Sequence, residues 1–406
     1  MEETKRSRRT GATRTTVRQC PSFSMLPDDL IIIIYRLLAE SPSSRARFAT
    51  ICSSWCAAIA AEPRVPALPW LLLSPRGAED RTLRAHCPED GAAMRLQPWR
   101  GAVGRGLVGG YDGGWVVTSQ PLLRIVNLFT GDEVPLSEKQ RTMDCPIVNH
   151  GFGDARGPVV SKIVLSQPPT SDGCIMAAMT ENHGIMLSRV GCPGEGWTIH
   201  DACHCFRFKD IAFCNSDLYG VVHCPSYLLK YKIGMNKGGA AVFIAHTWID
   251  MRMLDNSTSA SPYMENASYV VNLNGYPTVV VINRWWGYPN PFFRMFKLIN
   301  TNTWSQVTML GDHALFLGPT FSKAVNVPTG SHGNIERNHV YYSNGLSRSS
   351  EAHGDEVFLT ISNNDVDLKY NINHRKIIAS NYKIKSVGYF VKDDSHDSMW
   401  LLPPDI

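Results

Sequence analysis

Residues with the chemistry to catalyse or to bind a ligand fall in four places along this chain of 406 residues. Gly104-Arg105-Gly106-Leu107-Val108-Gly109 has the G-x-G-x-x-G spacing that lets backbone amides approach a pyrophosphate at a helix N-terminus. That chemistry needs a strand before the glycines and a helix after them. Here Gly110-Tyr111-Asp112-Gly113-Gly114 and then Trp115-Val116-Val117-Thr118 follow, so the stretch reads as a glycine-rich turn between β elements and no cofactor is assigned. His200, Cys203, His204, Cys205, Cys214, His223 and Cys224 form a Cys/His cluster without a C-x-x-C pair. A zinc site needs four such ligands to converge. On an alternating strand Cys203 and Cys205 share one face and His204 takes the other, which describes a half-buried strand, and no metal is assigned. Asp312-His313 and Ser331-His332-Gly333 are neighbours in sequence only, whereas a nucleophile and its base must meet in space. Asp312-His313 reads as a turn, no catalytic residue is assigned, and the chain is read as a non-enzyme. The fourth place is Arg284-Trp285-Trp286-Gly287-Tyr288-Pro289. Arg284, Trp285, Trp286 and Tyr288 are the candidates for gripping a protein target, with packing inside a sheet as the competing role.

Charge narrows the partners. Residues 1–24 carry Lys5, Arg6, Arg8, Arg9, Arg14 and Arg18 against Glu2 and Glu3, which leaves 34 basic and 34 acidic side chains in the rest of the chain. A body without net charge has no field to draw in nucleic acid or an anionic membrane, so neither is expected as a partner. Residues 1–23 read as a disordered basic tail, solubilising or, through Lys5-Arg6-Ser7-Arg8-Arg9, open to a nuclear-import receptor. The Thr-, Ser- and Arg-rich segment after it resembles a transit peptide in composition, but Glu2 and Glu3 fit that reading poorly. Leu30 to Leu38 and Pro69 to Leu73 are the longest apolar runs, short of the roughly 20 residues that cross a bilayer. Eleven cysteines without a secretory signal point to reduced thiols and to the nucleus or cytoplasm, where the sequons at Asn256 and Asn266 stay unmodified.

Two kinds of element must position these residues. Leu26-Pro27-Asp28-Asp29-Leu30 is a helix start, with proline at the first helical position and two carboxylates facing the positive end of the dipole. The run Ile31 to Ile34 is β-branched, yet the start signal and the spacing of Ile31, Ile34, Tyr35 and Leu38 select a helix. Leu30, Ile33 and Leu37 fill a second face, so this helix is apolar nearly all round and needs a cover from outside. Phe48, Ile51, Cys52 and Trp55 repeat the helical spacing on a stretch running to about Ala61, giving two or three short helices over 24–61. From residue 62 to 406 the pattern is short strands parted by Gly, Asn and Pro. Leu122 to Gly131 has echoes at Tyr227 to Lys232 before Gly234, Phe292 to Trp304, and Asp367 to Ile377, each an alternating strand with a polar turn. This is a degenerate β repeat of the propeller kind, with loops expected at 141–158, 233–241, 252–266 and 328–338. The fold class is mainly β with a small N-terminal α domain.

Leu26-Pro27-Asp28-Asp29-Leu30, Ile34, Leu38, Arg45-Ala46-Arg47-Phe48, Ile51-Cys52 and Trp55 resemble an F-box, with Ile32 and Ile33 at positions that are commonly polar and Ser53-Ser54 replacing a basic residue. The body resembles the plant F-box-associated, kelch-like domain of unknown function through Gly109 to Thr118, Asn127 to Gly131, Ile211-Ala212-Phe213, Leu218-Tyr219, Leu310 to Gly318 and Trp400 to Pro404. The resemblance implies a substrate-recognition subunit of an SCF (Skp–cullin–F-box) ubiquitin ligase. Its F-box would dock a Skp-type adaptor, and through it a cullin, while the β domain holds an unknown protein target. Leu26, Pro27, Asp28, Leu30, Ile34, Leu38, Phe48, Ile51, Cys52 and Trp55 are then expected to divide between adaptor face and internal core. The alternative is a non-ligase β scaffold with a helical cap.

Overall fold

The computed structural model describes residues 26–38, 41–49, 51–59, 62, 66–75, 83–96, 105–143, 159–181, 184–192, 196–200, 207–222, 227–251, 264–285, 292–329, 334–343, 357–362, 369–371, 376–378, 384–391 and 396–405. It divides into two compact units, Met1–Glu40 with Ser44–Pro63, and Arg64–Ile406 with Ser41–Ser43. The expected tail, residues 1–23, lies outside the described residues.

The first unit has three helices, α1 (Asp28–Leu37), α2 (Pro42–Ala49) and α3 (Ser53–Ile59). Pro27 sits one position earlier than expected, as the N-cap, and its carbonyl accepts from the amides of Leu30 and Ile31. Asp28 and Asp29 occupy the first turn, where the dipole favours them. The isoleucine run stays helical because Ile31 and Tyr35, one turn apart, enter a core with Phe48, Trp55 and Ile59. The Phe48 ring lies 5.9 Å from Tyr35 and 4.5 Å from Trp55, centroid to centroid. Ile31 and Tyr35 are buried, whereas Ile34 is exposed and Leu38 half-buried, because aromatic side chains from α2 and α3 already fill the small core. The stretch from Phe48 onward is also not one helix: Ile51 and Cys52 lie between α2 and α3, where the Ile51 amide closes a tight turn on the Phe48 carbonyl.

The second unit starts with β1 (Trp70–Pro75), β2 (Leu83–His86) and β3 (Ala93–Leu96), then a three-stranded sheet of β4 (Arg105–Tyr111), β5 (Trp115–Gln120) and β6 (Arg124–Asn127). After the short helix α4 (Glu138–Arg141), three four-stranded antiparallel sheets follow in sequence order. They are β7 (Val160–Leu165), β8 (Ile175–Thr180), β9 (Gly184–Arg189) and β10 (Thr198–Ile199); β11 (Phe208–Cys214), β12 (Asp217–Val222), β13 (Tyr227–Met235) and β14 (Ala241–Asp250); and β15 (Met264–Leu273), β16 (Tyr276–Trp285), β17 (Phe292–Asn300) and β18 (Thr303–Gln306). The chain closes with β19 (His313–Leu317), β20 (Ser322–Asn326), β21 (His339–Ser343), β22 (Val357–Ser362), a small hairpin of β23 (Lys369–Asn371) and β24 (Lys376–Ile378), β25 (Lys385–Val391) and β26 (His396–Leu401). A five-stranded mixed sheet runs β20-β19-β21-β25-β22, and β26 returns to pair β1, Trp70 opposite Leu401 through Pro75 opposite His396.

Strands of neighbouring sheets meet in cyclic order: β26 lies beside β4, β4 beside β7, β7 beside β11, β11 beside β15, β15 beside β20, and β21, the central strand of the mixed sheet, beside β26. This is a β-propeller, with five blades of four or five strands and the three-stranded sheet between two of them. Its core is distributed between neighbouring blades. Val117, Ile125, Ile163, Met176 and Trp197 fill one gap, Leu187, Ile211, Leu229 and Tyr231 the next, then Leu228, Ile249, Val270 and Val279, then Val280, Phe293, Leu315 and Tyr342. Two-residue turns set register: Asn215-Ser216 joins β11 to β12, and Asn274-Gly275 joins β15 to β16, each with both residues at positive φ.

The inner strands are tied by a buried ion pair. Lys162 Nζ on β7 donates to Asp210 Oδ1 on β11 at 2.6 Å, and Asp210 Oδ2 accepts from the Val270 amide on β15 at 2.9 Å, so three blades share one carboxylate.

Several loop readings change. The glycine-rich turn expected over residues 104–109 is strand: Arg105 to Gly109 belong to β4. β13 runs through Gly234 to Met235, so the loop expected at 233–241 shrinks to a turn around Asn236–Gly239. Of 252–266, residues 252–263 lie outside the described residues and β15 begins at Met264. Residues 144–158 and 330–333 of the other expected loops also lie outside them. The helix α4 was not foreseen, although Ser137-Glu138-Lys139-Gln140 forms a reciprocal capping box that its spacing spells out. Among the described residues no helix is long and apolar enough to cross a membrane.

Candidate protein-docking sites

The helical unit separates its apolar side chains into two sets. Ile31, Tyr35, Phe48, Trp55 and Ile59 are buried, while Leu30, Ile33, Ile34 and Leu37 on α1 remain 44%, 52%, 36% and 78% exposed, and Ile51 53%. Leu30, Ile33, Ile34 and Leu37 are three and four residues apart and form one stripe along the helix. Of the expected site residues, Phe48 and Trp55 are core. Leu30, Ile34 and Ile51 are exposed, as are Pro27 and Asp28, while Leu26, Leu38 and Cys52 are half-buried. Ile33 and Leu37 were missing from that set, although both lie on the second face that the spacing defines. At the far end of the stripe Arg36 makes two 2.9 Å bonds to the Glu62 carboxylate, which holds that acid below the usual carboxylate range. Cys52 precedes α3, and the Ser54 hydroxyl at 3.1 Å lowers its thiol pKa.

The aromatic stretch of the β unit is only partly described. Arg284 and Trp285 end β16, opposite Glu265 and Met264 on β15. Trp286 and Tyr288 lie outside the described residues.

The other chemical candidates resolve into packing. In Gly104-x-Gly106-x-x-Gly109, a Cβ on Gly109 would stand 2.1 Å from the Ile163 carbonyl oxygen, so this glycine permits β4 to touch β7. A strand follows it, which offers no helix N-terminus to a pyrophosphate. Cys214 is buried on β11, its thiol pushed up to about 12 by burial. His200 follows β10 and stacks edge-on against Tyr231, Phe243 and His246 of the next blade. Cys203, His204, Cys205, His223 and Cys224 lie outside the described residues, and among those described no three His, Cys, Asp or Glu are grouped to hold a metal. Asp312 sits in the turn before β19 and accepts from Arg337 Nη1 at 2.7 Å; Ser331-His332-Gly333 lies outside.

Residues 73–371 match the family described as KIB1-4 beta-propeller. No curated protein matches the chain. Among solved structures, dihydro-heme d1 dehydrogenase NirN in complex with DHE aligns over 82% of this chain and 78% of its own, at 13% identity and a TM-score of 0.26, too low to carry an argument.

Proposed function

Because this chain belongs to the KIB1-4 beta-propeller family, we propose that it is a protein-binding propeller carrying an N-terminal F-box, and acts as the substrate-recognition subunit of an SCF ubiquitin ligase. The observation that carries the reading is the unsatisfied stripe of α1. The unit completes its own core with Ile31, Tyr35, Phe48, Trp55 and Ile59, yet leaves Leu30, Ile33, Ile34 and Leu37 in water. A contiguous exposed apolar surface rimmed by charge, here Asp28, Asp29 and Arg36, marks a protein interface. Each such side chain contributes about 1.5–3 kcal/mol when fully covered, before the cost of association is subtracted.

In this reading a Skp-type adaptor covers the stripe and links the chain to a cullin, while the propeller holds the target. The chain does no covalent chemistry. It raises the effective concentration of target near the ubiquitin-charged enzyme, a gain that comes from geometry alone. The free cysteines among the described residues and the basic N-terminal sequence support nuclear or cytoplasmic residence.

The test is co-elution of the purified chain with a plant Skp-type adaptor, comparing wild type with a Leu30→Asp, Ile34→Asp variant. Complex formation lost only by the variant, with circular dichroism unchanged, supports the reading. A well-folded wild type that never co-elutes rejects it in favour of a scaffold without ligase function.

A further inference from the structure

We propose that Asn274 is a self-modification site held dormant: an Asn-Gly pair set to deamidate, which Asn272 and Asn215 guard by fixing Gly275 at both its amide and its carbonyl. Asn274-Gly275 is the turn between β15 and β16, with Leu273 opposite Tyr276 as the last pair of the ladder. Asn274 is exposed, so solvent base and water reach its side chain, and Gly275 has no side chain to shield its own amide. The other Asn-Gly pair of the sequence, Asn344-Gly345, lies outside the described residues.

The reaction needs only water and base. The Gly275 amide nitrogen gives its proton to solvent base and bonds to Asn274 Cγ, while the bond from Cγ to Nδ2 breaks and the side-chain nitrogen leaves as ammonia. Water then opens the resulting succinimide at either carbonyl, leaving aspartate or, with the main chain rerouted through Cγ, isoaspartate. In the folded turn the attacking group is engaged: the Gly275 amide donates to Asn272 Oδ1 at 2.9 Å, which withholds its proton from base. Asn215 Nδ2, on the turn of the neighbouring blade, donates to the Gly275 carbonyl at 2.6 Å. Asn274 and Gly275 are both at positive φ, 54° and 80°, the conformation that suits a two-residue hairpin turn and that the peptide between them must leave before its nitrogen can approach Cγ. Attack therefore waits on a local opening that breaks these bonds.

The consequence reaches past the turn. Isoaspartate adds a methylene to the main chain and a negative charge at a hairpin whose register depends on turn length, so Leu273 and Tyr276 lose their pairing. The same hairpin carries the Val270 amide that bonds the buried Asp210 carboxylate.

The experiment incubates the purified full chain at mildly alkaline pH and follows conversion at Asn274 by peptide mapping, which reads the mass gain of amide-to-acid exchange and separates isoaspartate from aspartate. Wild type is compared with Asn272→Ala, Asn215→Ala and Asn272→Asp, all at exposed positions, with circular dichroism checking each fold and a parallel incubation of each chain in urea. When folded, the two alanine variants are expected to convert roughly two- to tenfold faster than wild type, the factor by which loss of one net hydrogen bond shifts an opening equilibrium. Asn272→Asp keeps an acceptor oxygen for Gly275 and should stay within about twofold of wild type. In urea all four should convert at one rate, faster than folded wild type. Folded wild type that converts as fast as in urea, alanine variants no faster than wild type, or a ranking that persists in urea would each overturn the proposal. Should one alanine variant fail to fold, the other carries the test, since one bond comes from the blade of Gly275 and the other from its neighbour.

Discussion

Water reaches only 2% of the Lys162 side chain and 1% of that of Asp210, so each charge depends on the other for its solvation. Burial pushes the Asp210 carboxyl pKa up, against the pull of Lys162 and two backbone amides. Removing one partner strands a buried charge, and Lys162→Ala is expected to cost about 3–5 kcal/mol in urea unfolding. A Lys162→Met, Asp210→Leu double variant should recover much of that loss but leave the Val270 amide without its acceptor; a double variant as damaged as the single one would contradict the pairing. Gly109→Ala meets a backbone oxygen that cannot rotate away and should cost about 3 kcal/mol. Gly113→Ala, with nothing near its Cβ, should lose only the about 1 kcal/mol of a strained positive φ. Thiols divide similarly: in the native protein near neutral pH, iodoacetamide should label Cys52 before the buried Cys87 and Cys214, both pushed up to about 12, as peptide mapping would reveal. None of these pairings was readable from sequence, since Lys162 and Asp210 are 48 positions apart and only the ring brings them together.

Among the elements, α1 carries the clearest consequence of its spacing. Its all-round apolar pattern predicts a helix with more apolar surface than one small core can bury, and Leu30, Ile33, Ile34 and Leu37 remain exposed. Which residues would face inward was not readable, because that depends on the aromatic rings contributed by α2 and α3. Ile31→Ala should cost the helical unit about 2–5 kcal/mol, whereas Leu37→Asp should change its stability by no more than about 0.5 kcal/mol and, if the proposed ligase reading holds, still weaken adaptor binding. The bond between Arg36 and Glu62 adds a pH signature. Glu62 has a depressed folded pKa, so its stabilisation is present above the unfolded carboxylate value of about 4.3 and disappears as pH falls through the lower folded value. Thermal melting followed across that range should show the decline in wild type and lack it in Glu62→Gln. The β elements were readable as hairpins from alternation and from the Gly, Asn and Pro that part the short strands, but the strand β4 was mistaken for a turn because its glycines serve a close approach to β7 that no local pattern records.

For the whole molecule, closure of the propeller is the governing fact. The apolar run near Pro69 is a strand flanked on both sides, and its partner β26 comes from the other end of the chain. Trp400 joins them: it is fully buried, donates from Nε1 to the Leu317 carbonyl at 3.0 Å and packs against Phe316 and Tyr389. Trp400→Ala should therefore cost about 3–5 kcal/mol and shift unfolding of the whole ring rather than of one blade. Sequence repeats suggested a propeller without fixing its order, since the echoes are unevenly spaced and the closing strand lies more than 300 residues from the one it completes. The proposal that the helical unit is an adaptor-binding F-box is tested most directly by calorimetric titration of the full chain with a plant Skp-type adaptor, alongside an Ile33→Asp, Leu37→Asp variant. One-to-one binding with a negative heat-capacity change, abolished in a variant whose circular dichroism matches wild type, is the expected result. Absence of binding by folded wild type, or undiminished binding by the variant, would contradict it.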